Sequence, residues 1–176
     1  MTETKQSPTS FRKLIIPFAT AIAAMLFSAV IFILPPPISH QLHTTSAGQH
    51  DLVFVGPDIR INMNANSSMT VSSNQPPEIE LLQGSVYFDI TNSDANTGKL
   101  VLTINEARIK NIGTQFSAER QNNGGQIAIA DGFVEIQIGS QSRLVHAGQQ
   151  VTFDINKITQ EAPIDKSDVA PWRLKK

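Results

Sequence analysis

Few side chains in this 176-residue sequence have the types and spacing that enzymatic chemistry requires. There is no cysteine, which excludes a disulfide scaffold, a thiolate metal site and a cysteine nucleophile. No serine lies in a G-x-S-x-G elbow, and no glycine-rich run carries the lysine of a phosphate-binding loop. His146 is the one histidine in the strand-rich region, and a general base needs a partner to orient it. We therefore predict no catalytic residue, no cofactor and no enzymatic activity.

Three further histidines, His40, His43 and His50, lie close together in the sequence. Imidazole is a common neutral metal ligand, so a metal site is one interpretation. The spacing H-x2-H-x6-H fits no helical face, however, and the first neighbouring carboxylate is Asp51. Residues 35–50 are rich in structure-breaking residues and show little apolar periodicity. We predict a solvated linker over 35–50, juxtamembrane because it directly follows the uncharged apolar segment of residues 14–34, and no metal site.

The overall composition excludes one class of partner and points to an uneven chain. Fourteen Lys and Arg residues against fifteen Asp and Glu residues give a net charge of −1, so a basic nucleic-acid-binding face is not expected. Charged residues make up 16% of the chain, whereas about 25% is usual. Because the mean hydropathy is only −0.10, one segment should be very apolar and the rest ordinary.

That apolar segment runs from Leu14 to Leu34 and contains no charged residue. As a helix it would be about 31 Å long, which matches the hydrocarbon core of a bilayer at about 30 Å. The alternative is a cleaved signal peptide, but its apolar stretch is shorter and ends in small residues. This segment is followed by three prolines. We predict an uncleaved transmembrane helix that has the lipid bilayer as a partner.

The charges flanking this segment predict its orientation. Arg12 and Lys13 precede it directly, and the next basic residue is Arg60. By the positive-inside rule, residues 1–13 form a short cytoplasmic tail and the rest of the chain is translocated. Within the span, small residues recur every fourth position, a spacing that lets two membrane helices pack closely and predicts a possible homodimer. They are Thr20, Ala24 and Ser28.

Residues 51–160 have the pattern of an all-β domain. Short apolar runs alternate with polar residues, as at Val86, Phe88 and Ile90, and turn residues separate the runs. About 10–13 short strands are expected, in a sandwich or a short β-solenoid-like domain. Residues 161–176 are predicted to be a C-terminal tail, with one helical turn at most between Asp165 and Trp172.

One pattern occurs twice in this region. Residues 79–90 and 127–138 share the pattern I-x-[LI]-x-x-G-x-V-x-[FI]-x-I. Its physical content is a strand, a glycine corner and a second strand, with Gly84 and Gly132 at the corners. Two ordinary hairpins or two stacked β layers would both explain the repetition.

Four segments in order resemble the periplasmic domain of the FecR family, the membrane regulators that work with extracytoplasmic-function sigma factors. They are residues 80–90 (ELLQGSVYFDI), 109–116 (IKNIGTQF), 127–134 (IAIADGFV) and 143–151 (RLVHAGQQV). The family-motif positions, which we interpret as structural, are Gly84, Phe88, Gly113, Thr114, Phe116, Gly132 and Gly148. The resemblance covers roughly residues 50–160.

The resemblance implies a bacterial inner-membrane protein with a single span and an all-β periplasmic domain. It implies an envelope partner as well, for example the signalling domain of an outer-membrane receptor. Because the predicted cytoplasmic tail already ends at Lys13, we expect no anti-sigma domain in this chain. The predicted function is therefore a membrane-anchored signalling or regulatory protein. The alternative is a non-signalling envelope module that binds a protein or a glycan.

Overall fold

The computed structural model describes residues 39–91, 100–111 and 113–174. Outside these ranges lie the predicted features of residues 1–38: the tail with Arg12 and Lys13, the span Leu14–Leu34, and Thr20, Ala24 and Ser28. In the part of the chain that is described, no helix is long and apolar enough to cross a membrane.

The described chain is built from β-strands, as the alternating pattern predicts. Fourteen strands are found in these ranges, slightly more than the 10–13 expected. They are β1 (His40–Thr44), β2 (Asp51–Val55), β3 (Ile59–Met63), β4 (Ser68–Ser72), β5 (Glu78–Gln83), β6 (Ser85–Ile90), β7 (Val101–Ile104), β8 (Ala107–Asn111), β9 (Gln115–Gln121), β10 (Gly124–Asp131), β11 (Phe133–Ile138), β12 (Gln141–His146), β13 (Gln149–Asp154) and β14 (Ile158–Pro163).

The strands form two seven-stranded sheets. Sheet A has the order β1-β4-β5-β7-β8-β11-β12, and sheet B has the order β14-β13-β10-β9-β6-β3-β2. Neighbouring strands are antiparallel except for β5 and β7, which are parallel. Both sheets contribute side chains to one buried apolar cluster, such as Leu81 and Ile109 from sheet A and Ile61 and Phe88 from sheet B. Of the two predicted architectures, the chain forms the sandwich.

Alternation along the strands explains this core, since every second side chain faces the opposite sheet. The predicted inward rows are buried as expected, with Phe88 and Leu102 fully enclosed. Tyr87 is the exception. It lies on the outer face of β6 and yet is only 2% exposed, because the end of the chain covers it.

Regular structure extends past two of the predicted segment boundaries. The predicted linker 35–50 contains β1, which pairs with β4 from His40–Ser72 to Thr44–Ser68. Its periodicity is weak because an edge strand with Gln41 and His43 on its inner side carries little apolar signal. The predicted tail 161–176 is also ordered where it is described. It completes β14 and continues in two short 3-10 helices, Lys166–Asp168 and Pro171–Leu174.

Glycine corners carry the chain between the sheets. At Gly84 the chain passes from β5 in sheet A to β6 in sheet B, and at Gly132 it passes back from β10 to β11. Both glycines have a positive φ, 76° and 77°. The near-repeat thus has the same local structure in both copies, strand–glycine–strand. One copy takes the chain from sheet A to sheet B, and the other takes it from sheet B to sheet A.

We predict that Gly132→Ala destabilises the protein more than Gly139→Ala. Both positions have a positive φ, but a Cβ at Gly132 would lie 2.6 Å from the carbonyl oxygen of Gly113, whereas a Cβ at Gly139 would meet no atom within 4 Å. Gly139→Ala should therefore lower the free energy of unfolding by about 1 kcal/mol, the cost of the left-handed backbone alone. Gly132→Ala should cost about 2 kcal/mol more because backbone must move. Urea unfolding of both purified variants measures this, and equal losses would contradict it.

Candidate functional site

The structure does not bring the possible catalytic groups together. His146 is exposed on β12, with its ring 5.9 Å from that of Phe133. Its backbone N–H donates to Oε1 of Gln149 at 2.9 Å. Within residues 39–91, 100–111 and 113–174, no hydrogen bond or ion pair from the His146 imidazole is found, so nothing there orients it as a general base.

The three histidines near the start of the described chain do not share one site either. His40 and His43 are three residues apart on β1 and therefore face opposite sides of sheet A. His50 stacks on Trp172, with ring centroids 5.8 Å apart. Among the residues that the structure describes, no three side chains of ligand type are grouped so as to hold a metal ion.

Four of the family-motif residues meet at one corner of the sandwich, which we call the crossing cluster: Gly113, Thr114, Gly132 and Gly148. Three connections between the sheets pass there, β8 to β9, β10 to β11 and β12 to β13. Thr114 is 1% exposed, and its hydroxyl donates to the carbonyl oxygen of Phe133 at 2.9 Å. The N–H of Ala147 donates to the carbonyl oxygen of Gly132 at 2.9 Å. The cluster is thus held by backbone contacts and one buried hydroxyl.

The two motif phenylalanines lie next to this cluster in the core. Phe88 and Phe116 are directly opposite each other on β6 and β9, and their rings stack with centroids 4.7 Å apart. Both side chains are fully buried. Their contribution is to pack the core, and neither is available to a ligand.

In contrast to these buried residues, the surface along β1 and β2 is open. Each is outermost at one end of its described sheet, β1 in sheet A and β2 in sheet B. A cleft of about 230 Å³ separates them, which we call the edge groove; it is lined by Ser39, Gln41, His43, Val53, Phe54, Val55, Gly56, Val71, Ser72 and Ser73. A larger cavity of about 860 Å³ shares Val55, Gly56, Ser72 and Ser73 with the edge groove and extends to Pro76, Pro77 and Leu100.

The end of the chain forms a strap over the outer face of sheet B. Val169 and Ala170 are buried there in a small apolar cluster with Tyr87, Ala128 and Ala130. The alanines leave room for the strap on a face that would otherwise be solvated. The guanidinium of Arg173 lies 3.3 Å above the centroid of the Tyr87 ring, a close cation–π contact.

Comparison with known protein families identifies the family of this chain. A sequence model of the family described as FecR protein matches residues 40–135, more than half of the chain. This chain belongs to the FecR family. The match begins at His40, the first residue of β1, and so agrees with the ordered strand rather than with the linker predicted there. No curated protein matches the chain.

Two crystal structures of a candidate anti-sigma factor from Parabacteroides distasonis ATCC 8503 have a similar fold. The structure at 2.50 Å resolution has a TM-score of 0.67 and 15% identity, covering 77% of this chain and 65% of its own. The structure at 1.65 Å has a TM-score of 0.66 and 16% identity, covering 76% and 64%. At these identities the similarity shows the fold, and this chain spans less than two thirds of the solved proteins.

Sequence reasoning on the FecR motifs missed two polar residues that hold the corner at Gly84. The hydroxyl of Thr45 donates to the carbonyl oxygen of Asn64 at 2.6 Å and accepts the N–H of Ser67 at 2.9 Å. The hydroxyl of Ser67 accepts the N–H of Ser85 at 3.0 Å. Both side chains are buried. The edge groove was missed as well, because the sequence does not reveal which strands lie at sheet edges.

We predict that Thr114→Val destabilises the FecR domain and that Thr114→Ser does so much less. Valine keeps the shape of threonine but removes the hydroxyl that donates to the partly buried carbonyl oxygen of Phe133, which should cost about 1 kcal/mol. Serine retains the hydroxyl and serves as the matched control. Thermal and urea unfolding of the three proteins would decide the matter, and a valine variant as stable as the wild type would show that the hydrogen bond contributes nothing.

We predict that the chain's single tyrosine titrates above pH 10.0. Burial raises the pKa of Tyr87 from its ordinary value of 10.0, an effect that the nearby Arg173 guanidinium partly opposes. Because the unfolded phenol loses its proton first, the free energy of unfolding should fall as the pH rises above 10. Ultraviolet titration of the phenolate in the native and urea-unfolded protein measures both pKa values. A native pKa at or below the unfolded one, with the fold intact, would contradict the packing of the strap.

Proposed function

We propose that this FecR-family chain is a signalling regulator of the cell envelope, anchored by Leu14–Leu34 with its β-domain in the periplasm. The observation that carries the proposal is the family match over residues 40–135. The flanking charges, Arg12 and Lys13 before the span and no basic residue until Arg60, support the orientation. The description of the solved relatives as an anti-sigma factor supports a role in transcriptional regulation.

The proposed mode of action is binding rather than chemistry. In the described residues the buried polar side chains, Thr45, Ser67, Ser72, Asn111 and Thr114, mostly hold the backbone. Signal reception would then depend on an envelope protein that contacts the surface of the domain, for which an outer-membrane receptor domain is the first choice. An enzymatic role would need a group of polar side chains that converge on a cavity.

A second function, a non-signalling envelope module, is favoured by one observation, the open edge groove beside exposed apolar side chains. Phe54 and Leu42 are each 63% exposed there. Such a surface would bind a protein whether or not transcription responds. The two functions therefore differ in their consequence for gene expression and not in the binding surface.

We predict that deletion of the gene changes a defined set of envelope-responsive transcripts and that a plasmid copy of the full chain restores them. A copy that ends at Ile38 keeps the proposed anchor and lacks the FecR domain, so it should not restore them. RNA sequencing of the three strains measures the response. An alkaline phosphatase fused after Lys176 should be active, which tests the orientation in the same strain background.

Unchanged transcripts in the deletion strain, together with a partner that co-purifies with the full chain, would favour the non-signalling module. Activity of a cytoplasm-specific reporter at the same fusion site would contradict the periplasmic placement.

A further inference from the structure

The outermost strands on the two sides of the sandwich differ in how well they are protected against pairing with a further strand. On the side where β12 and β14 are outermost, Arg143 and Glu161 form an ion pair across the two strands at 2.9 Å. Charges at a sheet edge discourage a further strand from pairing. On the opposite side, between β1 and β2, the edge groove lies open, and no ion pair joins these two strands in the described structure.

The backbone of β2 offers hydrogen-bonding groups to this open side. The N–H of Asn64, just after β3, donates to the carbonyl oxygen of Ser85 at 3.0 Å, so the even-numbered residues of β3 bond to β6 and the odd-numbered ones to β2. The partners of those odd-numbered residues are Asp51, Val53 and Val55. Leu52 and Phe54 therefore direct their N–H and C=O groups to the open edge. The N–H of Leu52 is taken by Oδ1 of Asp51 at 2.8 Å.

The side chains of β2 make this edge apolar on both faces. Val53 is buried and lines the edge groove from within, while Leu52 and Phe54 are 44% and 63% exposed on the outer face. Exposed apolar edge strands are ready sites for β-strand addition. A strand added beside β2 would place alternate side chains in the groove and next to Phe54.

The charges around the groove indicate what kind of strand would fit. Residues 39–57 contain one acidic residue, Asp51, and no lysine or arginine. The nearest basic side chain on the neighbouring strand, Arg60, is paired with Asp89 at 3.4 Å. A second copy of β2 would bring a second Asp51 to this edge, whereas a strand flanked by basic residues would complement the first.

We propose that the β2 edge and the edge groove bind an extended segment of a partner protein, which adds to sheet B as a strand and carries alternating apolar residues flanked by lysine or arginine. The inference rests on the proposed binding function and names the chemistry of the partner. Its test measures binding directly and does not depend on any transcript.

The experiment uses the full chain in detergent micelles and fluorescein-labelled peptides, read by fluorescence anisotropy. The probe is KKVLVLVKK, and its controls are EEVLVLVEE and KKVLPLVKK, whose central proline removes a backbone donor. The basic probe should bind saturably. Both controls should bind roughly tenfold more weakly, one through charge and the other through lost strand pairing.

Variants of the chain test the same edge from the other side. Phe54→Pro removes an N–H that faces the open edge and leaves the bonds between β2 and β3 in place, so it should weaken the probe about tenfold. Phe54→Ser keeps the N–H and should weaken it less. Leu144→Ser, at a 47% exposed position on the far edge strand β12, is the matched control and should bind as the wild type does.

Circular dichroism verifies that each variant is folded, and the proline-containing peptide gives an independent answer if Phe54→Pro is not. No saturable binding, or binding that neither proline weakens, would overturn the proposal. So would a concentration-dependent dimer that Phe54→Ser dissociates, since the occupant would then be a second copy. If these binding tests fail while the transcript response is intact, only the binding role of the edge groove is disproved, and the proposed function stands.

Discussion

The sandwich depends on the connections between its two sheets, which lie against one another so closely that their backbone atoms are in contact. A Cβ on Gly132 would lie 2.6 Å from the carbonyl oxygen of Gly113, and a Cβ on Gly84 would lie 2.6 Å from that of Asn66. One crossing thus lies directly against another in each half of the domain. Because both glycines also have a positive φ, steric space and backbone conformation require the same residue. The sheets can enclose one core only if these corners stay this close.

The contrast between buried corners and open edges explains which parts of the fold the sequence predicts. Alternation at Val86, Phe88 and Ile90 identifies a buried row because a strand with one apolar face has a period of two. Gly84 and Gly132 could be predicted as corners because the same pattern flanks both. The strand β1 could not be predicted, since its inward side chains are Gln41 and His43. An edge strand is ordered by its hydrogen bonds to β4, which leave no trace in side-chain type.

The candidate site was beyond sequence reasoning for a related physical reason. Phe54 belongs to the apolar run LVFV, and only the strand order shows that β2 has no outer neighbour among the described strands. Tyr87 gives the reverse case. Its position in the alternation predicts an exposed side chain, and the strap with Val169 and Arg173 buries it. Both outcomes depend on contacts between residues far apart in the chain, which local periodicity does not encode.

A series of contacts on the outer face of sheet B connects the open edge to the strap. Arg60 lies 6.0 Å from the ring of Phe54 and 3.4 Å from Asp89. Gln115 donates to Asp89 at 3.1 Å and accepts the hydroxyl of Tyr87 at 3.4 Å. Partly exposed contacts of this kind are each worth about 1 kcal/mol or less.

This limited energy bears on how a strand bound at β2 could act. A conformational switch from one dominant state to the other needs several kcal/mol of differential binding, and these contacts cannot carry that much to the strap. The core between them is closely packed, with Phe88 and Phe116 fully buried, so a large rearrangement of the sheets would expose apolar surface at high cost. If the proposed strand binds at β2, the domain would therefore act by holding its partner in place and not by a change of its own fold.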